Sequence, residues 1–403
     1  MERLTTIDKQ PAGAVTTPPA AVRHSRLMDD IGQAVSIKYN NLVYELKAAG
    51  HDIVTLSLGE AFFDLPPLDF SGFDGADLNH YSHSRGLPRL RARLADYYGR
   101  QLHVHVDPDR ELLVTAGSKA ALYQVFLATL DPGDEVVIPE PFWLSYPEQV
   151  RLCGGVPVPV PCTAGVADLA AHVTDRTRAI VINNPNNPSG RLYTRSELEL
   201  LHDLADRHDL LLLVDEAYNE FVLPDEEFVS CGALDPGLRH TVVVNSMSKN
   251  YGISGWRIGY VIAHRALVDQ LLKINQHLVT CAPTPLSVYL AEHVDELMAV
   301  TRPQIERSVR ARDRARRHLA ALGVDTMPGS ATFYLFASLG GSALTSEAFT
   351  DRLLRESGVS VVPGIAYGAS CDHHVRISVG AEPEDRVTRG LDAVARLIER
   401  TSR

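Results

Sequence analysis

The sequence predicts an α/β protein: a mainly parallel seven-stranded sheet sandwiched by helices, followed by a smaller α+β domain. Three observations carry that expectation. From about residue 111, short β-branched or leucine-rich runs alternate with helical stretches. Several of these runs are apolar without alternation, as strands covered on both faces must be. Near residue 300 the texture changes to a long, Arg-rich amphipathic helix with strands and a closing helix behind it.

Taken in order, residues 1–24, rich in Pro, Ala and Thr, read as a mobile arm. Residues 25–50 read as helical and precede the main sheet. The seven strand candidates are residues 112–115, 135–138, 156–160, 179–183, 210–215, 241–245 and 259–263. Residues 119–130 have helical apolar spacing. Residues 194–208 form a helix entered through Thr194, with Glu197 three residues on as a capping box. Residues 302–322 are the Arg-rich helix, 333–336 and 375–379 are strands, and 384–400 the closing helix. The expected organisation is a large domain at 51–298 and a small domain made of 25–50 plus 299–403. There is no internal repeat.

At 403 residues the chain can bury a large core. Its net charge is −11, from 39 basic and 50 acidic residues, and no Lys- or Arg-rich run stands out. That argues against nucleic acid or an anionic membrane as the main partner. The five cysteines (Cys153, Cys162, Cys231, Cys281, Cys371) are scattered without a CxxC pair, so neither a zinc site nor a disulfide framework is expected. No secretory h-region and no apolar run of membrane-spanning length is present, and a reducing cytoplasm is the expected location.

Chemistry concentrates at the ends of successive strands. In 245–259, Lys249 sits between Ser246, Ser248 and, further on, Arg257 in a glycine-punctuated loop. A lysine amine can form a Schiff base with a carbonyl cofactor, and the serines and arginine can hold a phosphate. Gly117, Ser118 and Lys119 turn a strand into a helix whose first N–H groups suit an anion. Trp143 offers a ring to stack on a flat heteroaromatic, and Asn187 an amide beyond a strand end. Asp215 ends a buried strand, where a carboxylate needs a cationic partner, and Tyr218 follows it. Each segment also has a plainer reading: an ordinary turn at Gly117, a core aromatic at Trp143, a Pro/Gly turn at Asn187, a helix cap at Asp215. Together they supply an anion nest, a stacking ring, an amide, a carboxylate, a phenol, an amine and a guanidinium, which is the set that pyridoxal phosphate needs.

With those motifs in place, the chain resembles the class I/II aminotransferases of the fold-type I pyridoxal-phosphate superfamily, near the bacterial aspartate and aromatic aminotransferase branch. The likeness runs from about Ser25 to the C-terminus and rests on Asn-Pro-Ser-Gly at 187–190, Asp-x-x-Tyr at 215–218 and Ser-x-Ser-Lys…Arg at 246–257. The resemblance implies a Schiff base at Lys249, with Lys249 also moving the substrate proton. Asp215 would meet the pyridine N–H, Asn187 and Tyr218 the ring's phenolic oxygen, and Trp143 the ring face. Ser246, Ser248, Arg257 and the amides of Ser118 and Lys119 would hold the phosphate. It further implies that Tyr81 reaches the site of the neighbouring subunit of a homodimer, that Gly59 lies at the substrate, and that Arg376 grips the substrate α-carboxylate. The implied reaction passes an amino group between an L-α-amino acid and a 2-oxo acid by a ping-pong mechanism.

The sequence departs from the family pattern at 33–39, at Ala61-Phe62 and at 280–282, three places near the substrate in the family. His373 and His374, just before Arg376, face substrate or solvent, or sit behind the residues that touch substrate. Two other functions use parts of the same set. One is a different pyridoxal-phosphate reaction on this scaffold: β- or γ-elimination, cyclisation, or oxygen-dependent oxidation. The other is a non-enzymatic cofactor-sensing domain, which would need a DNA-binding module that residues 1–24 are too short and Pro-rich to supply.

Overall fold

A computed structural model describes residues 23–402. Of the arm expected at 1–24, all but Arg23 and His24 lies outside the described residues. The seven predicted runs form one sheet, with ends shifted by a residue or two: β1 (Leu112–Thr115), β2 (Glu135–Pro139), β3 (Val156–Val160), β4 (Thr177–Asn183), β5 (Leu211–Asp215), β6 (Thr241–Ser246) and β7 (Gly259–Ile262). Their spatial order is β1-β7-β6-β5-β4-β2-β3. Only β7 runs against its neighbours, β1 and β6; every other pair is parallel.

The unalternating apolar runs are explained by cover on both faces. Leu213 and Val181 pack with Phe126, Tyr146 and Val268 on one side. Leu212, Val214, Ile180 and Ile182 pack with Leu198, Leu201 and Leu204 on the other. The flanking helices obey their end signals. Helix Arg195–His208 is capped reciprocally by Thr194 and Glu197. Helix Ser118–Thr129 starts directly after Gly117, with its first amides at the end of the sheet that carries the site.

The helix expected at 302–322 is longer than its sequence suggests. It begins at Thr284, ends at Ala321 and passes through Pro303. Proline removes one backbone hydrogen bond, but packing on both sides of it offsets the loss. Leu290, Leu297 and Met298 bury against Tyr98 and Tyr260, while Ile305, Val309 and Leu319 bury against the smaller unit. The boundary expected at 298/299 therefore falls inside a continuous helix, where its apolar partners change.

The smaller unit holds antiparallel strands Tyr334–Ser338 and His374–Ser378, with Val362–Pro363 added at the edge. Helices Ser346–Ser357 and Glu384–Thr401 cover them. Helix Val35–Ala48 packs here too: Val43 meets Ile53 and Leu354, and the Tyr39 hydroxyl donates to Asp351 Oδ1 at 2.8 Å. Strand Val54–Thr55 pairs with Val359–Ser360. Among the described residues no helix is long and apolar enough to cross a membrane.

Candidate active site

The carboxyl ends of β4, β5 and β6 and the start of helix Ser118–Thr129 open onto one cavity of about 460 Å³. In an open parallel sheet this is where ligands bind. Most of the residues singled out from sequence line it: Gly59, Ser118, Lys119, Trp143, Asn187, Asp215, Tyr218, Ser246, Ser248, Lys249, Arg257 and Arg376.

Lys249 lies in the short helix Met247–Asn250 that follows β6. Ser246 caps that helix, its hydroxyl accepting the Ser248 N–H at 3.1 Å. Beneath it, Asn219 Oδ1 accepts from Asn245 Nδ2 at 3.0 Å and from Asn250 Nδ2 at 2.7 Å, so one amide pins both ends of the lysine turn. Lys249 Nζ donates to the Gly59 carbonyl at 2.6 Å. Burial pulls its amine down to about 8; Glu60 opposes that shift, Arg376 and Arg257 add to it, and Asp215 opposes it weakly. A lysine held this way is partly neutral near pH 8 and is a better nucleophile and base than one in water.

Asp215 ends β5 with its carboxylate buried. It accepts the Tyr146 hydroxyl at 2.9 Å and the Ala217 N–H at 3.1 Å. Burial still raises it to about 6 despite those bonds and the pull of Lys249. A carboxylate so placed is a receptor for a cation: a positive group brought beside it relieves the desolvation that raised it.

Arg376 is the opposite case. Its guanidinium is buried, yet it enters none of the ion pairs among the described residues. Nη2 donates to the Ser57 carbonyl at 2.6 Å and Nη1 to Asn187 Oδ1 at 3.2 Å, while Nε has no partner. Its ζ carbon sits 4.6 Å from the Tyr334 ring centre and 5.6 Å from that of Tyr367. Neutral acceptors and ring faces hold the charge in place without neutralising it, which leaves it open to an anion.

The remaining cations lie at the other end. Arg257, in the left-handed region at φ 56°, donates to the Ser254 carbonyl at 2.6 Å and stands over Gly117. A Cβ on Gly117 would collide with that guanidinium, and one on Gly259 would collide with the Ser118 nitrogen. These two glycines let an arginine and a helix N-terminus converge, with Ser246 and Ser248 on the same cavity. Lys119 Nζ lies 5.0 Å from the Trp143 ring centre, and burial lowers its amine, with Arg257 adding to the effect.

Two sequence candidates do not line the cavity. Gly117 lies behind Arg257, and Tyr81 is 86% exposed on a separate pocket with His80, Arg89 and Thr284. Of the three departures, Ser36 and Ile37 line the cavity and Ala61-Phe62 flank it, next to Ser254. Residues 280–282 instead lead into Thr284, whose hydroxyl accepts the Ser82 N–H at 3.2 Å beside Tyr81. His374 faces neither cavity nor solvent freely: it stacks on Phe336 at 5.0 Å.

Sequence reasoning missed four contributors. Tyr334 meets Tyr218, hydroxyl to hydroxyl, at 2.9 Å. Tyr146 holds Asp215, Asn219 holds the lysine turn, and Asn40 lines the wall below Ile37. Tyr334 carried a faint signal, since it lies on a predicted strand that pairs with the strand of Arg376. Tyr146 lies three residues after Trp143 and Asn219 directly after Tyr218, yet nothing in those segments marks their roles, and Asn40 has no motif around it. Arg312, from the long helix, ties the Tyr334 carbonyl (3.0 Å) to the Ser189 carbonyl (3.3 Å), and burial lowers it to about 10.

An α/β chain with an amine, a cation-seeking acid and an anion-seeking guanidinium around one cavity belongs to the enzymes that handle small amino or oxo acids. The comparisons with known proteins make this specific. The family model for aminotransferase class I and II matches residues 68–394, and the chain belongs to that family. It is 31% identical over 369 residues to an aspartate aminotransferase of Pyrococcus abyssi, covering 88% of this chain and 94% of that one. It is 34% identical over 394 residues to an aspartate/prephenate aminotransferase of Thermus thermophilus, covering 93% and 99%. Among solved structures, the aspartate aminotransferase of Thermus thermophilus with maleate superposes with a TM-score of 0.84 at 32% identity, over 94% of this chain and all of that one.

Proposed function

We propose that the protein is a pyridoxal-phosphate-dependent aminotransferase that moves an amino group between an L-α-amino acid and a 2-oxo acid in two half-reactions. The observation that carries the reading is the placing on one cavity of three ionisable groups that no ion pair neutralises: the Lys249 amine, the buried Asp215 acid and the Arg376 guanidinium, whose Nε has no partner. The cofactor fits what these residues lack. Pyridoxal phosphate, when bound, supplies an aldehyde for amine exchange and a pyridine ring that takes up an electron pair. Its phosphate matches the cradle of Ser118, Ser246, Ser248 and Arg257, which Gly117 and Gly259 keep open.

In this reading Lys249 would hold the cofactor through Nζ. When free, the same nitrogen would take a proton from the substrate carbon and return it, as base and then acid. Its depressed pKa suits that work. Asp215 offers its carboxylate to the ring N–H and keeps that proton in place, with Tyr146 and the Ala217 N–H fixing its orientation. Asn187 and Tyr218 would hold the ring's phenolic oxygen, and Trp143 would cover the ring face. Arg376 receives the α-carboxylate in a bidentate manner that lysine does not reproduce. Tyr81, exposed and away from this chain's cavity, is offered to the site of a second subunit in a homodimer. The large domain at 51–298 and the small one at 25–50 plus 299–403 then meet at the substrate.

The test is a single-turnover donor screen. Cofactor-loaded protein is mixed with one amino acid and no oxo acid. The absorbance of the lysine-bound cofactor should fall with one equivalent of 2-oxo acid released, and 2-oxoglutarate should restore it. The relatives named for aspartate and for prephenate set the first donor and, prephenate being a 2-oxo acid, the first acceptor to try. Ammonia release or oxygen uptake under multiple turnovers, without added oxo acid, would replace transfer by elimination or oxidation on the same scaffold.

A further inference from the structure

Away from the cavity, the turn at residues 364–371 of the smaller unit is fastened to the main sheet. Glu140, just past β2, accepts the Ala369 N–H at 3.0 Å, the Ser370 N–H at 2.9 Å and the Ser370 hydroxyl. The Phe142 N–H donates to the Tyr367 carbonyl at 3.1 Å. Just past β3, the Cys162 N–H donates to Ser370 Oγ at 2.9 Å, and its sulfur lies 3.7 Å from the Ser370 carbonyl. The next residue is Cys371. Both cysteines belong to one small apolar cluster with Phe336, Val362 and Tyr367, and Cys162 Sγ packs against the residue that precedes Cys371. Residues 209 apart in sequence thus bring two reduced thiols together at a seam between units, where the spacing of cysteines gave no hint of a pair.

We propose that Cys162 and Cys371 are a redox modification site: a reversible disulfide that staples the 364–371 turn to the main sheet. The thiols are not equivalent. Cys371 is fully buried, and burial raises its pKa far above the usual thiol range. Cys162 is partly exposed and meets an oxidant first. With a small disulfide as oxidant, the Cys162 thiolate attacks one sulfur and one small thiol leaves. The Cys371 thiolate then attacks Cys162 Sγ and the second small thiol leaves. The protein loses two thiol protons and two electrons and gains one S–S bond, while the small disulfide takes them up and is reduced to two thiols. The buried second thiol makes the closing step the slower one. The staple bears on the substrate wall, because Tyr367 in this turn stands beside Arg376.

The experiment is oxidation of the cofactor-loaded protein with oxidised glutathione, followed by intact mass and peptide mapping. The expected result is a transient glutathione adduct on Cys162 that gives way to a loss of about 2 Da per chain. The peptides of Cys162 and Cys371 should be cross-linked, and dithiothreitol should reverse the change. Closing so long a loop should also raise the thermal midpoint of the oxidised protein. Cys162→Ser, at a partly exposed position, should fold normally and show neither the mass loss nor the midpoint shift. A stable adduct on Cys162 with no cross-link, or a cross-link to Cys153, Cys231 or Cys281 instead, would overturn the proposal. The readout is chain mass, so it stands or falls separately from the reaction the enzyme catalyses.

Discussion

The two walls of the cavity are built on different principles. On one wall, Asn187, Asp215, Ser246 and Lys249 sit at or just beyond the ends of β4, β5 and β6, strands with hydrogen-bonded neighbours on both sides. Their positions are set by the sheet itself, and Asn183, Tyr146 and Asn219 add side-chain bonds that fix them further. On the other wall, Ser36, Ile37 and Asn40 come from an N-terminal helix, Gly59 and Glu60 from a loop, and Tyr334 and Arg376 from the smaller sheet. Their positions depend on how separate segments pack together. The first wall is rigid by construction and should govern chemistry. The second is assembled by docking and should govern which substrate enters and how tightly it is held.

The hardest way to break that division is at Lys249. Lys249→Ala should abolish turnover, a loss of about four orders of magnitude or more, together with the absorbance of lysine-bound cofactor. A coloured, active variant would remove the lysine from the mechanism. Asp215→Ala should keep the cofactor bound but lower kcat by about 10²–10³, as loss of one preorganised charge in a buried site does. Near-wild-type kcat there would end the electron-sink role.

Asp215 also gives a test that needs no turnover. Without cofactor its folded pKa is raised to about 6 from 3.8, so the folded chain keeps that proton where the unfolded chain has released it. This contribution to stability is fully present below pH 3.8 and is lost as pH rises through about 6. Denaturant unfolding of the cofactor-free protein should therefore show a downward component across that window, which Asp215→Asn removes. An identical pH profile in the variant would mean that the acid is not under desolvation strain.

The same division explains what could be read from sequence. The main sheet was legible because strands buried on both faces must be apolar throughout, and Leu212–Leu213–Val214 or Ile180–Val181–Ile182 have no other economical reading. The first wall was legible because each functional residue follows its strand within a few positions, so motif and geometry coincide. The second wall was only partly legible. Arg376 and Gly59 were reached through resemblance to a family. Tyr334 and Asn40 were not singled out, since their roles arise from packing between segments far apart in the chain. The start of the long helix at Thr284 was missed for a related reason: the change of texture near residue 300 was read as its beginning, whereas tertiary contacts carry one helix through Pro303.

On the second wall, Arg376→Ala should raise KM for amino acids by about ten- to a hundredfold, the worth of a charge-assisted bidentate pair. The effect on kcat should be smaller than that of Asp215→Ala. Arg376→Lys should recover little, because the Ser57 carbonyl and Asn187 amide are spaced for a guanidinium fork. If kcat fell and KM stayed constant, the two walls would not divide chemistry from binding as argued.

Ile37 provides the finest cut. It lies on the cavity at the start of helix Val35–Ala48 and is 49% exposed, in one of the segments that departs from the family pattern. Its neighbours on that wall include the apolar Leu58 and the ring of Tyr334, with Asn40 as the polar alternative. A fully buried methylene contact discriminates between substrates by about 1–3 kcal/mol. Ile37 is half exposed, so Ile37→Ala should shift kcat/KM between apolar and polar amino donors by only about two- to fivefold. The absorbance of the lysine-bound cofactor and the first-wall constants should not move, because Ile37 stands on the second wall, on a helix packed against the smaller unit. A change confined to donor ranking would locate side-chain selection in the N-terminal helix. An unchanged ranking would shift selection to the Glu60–Phe62 loop, where Phe62 stands 65% exposed at the flank of the cavity and Glu60 is held by the Ser254 hydroxyl.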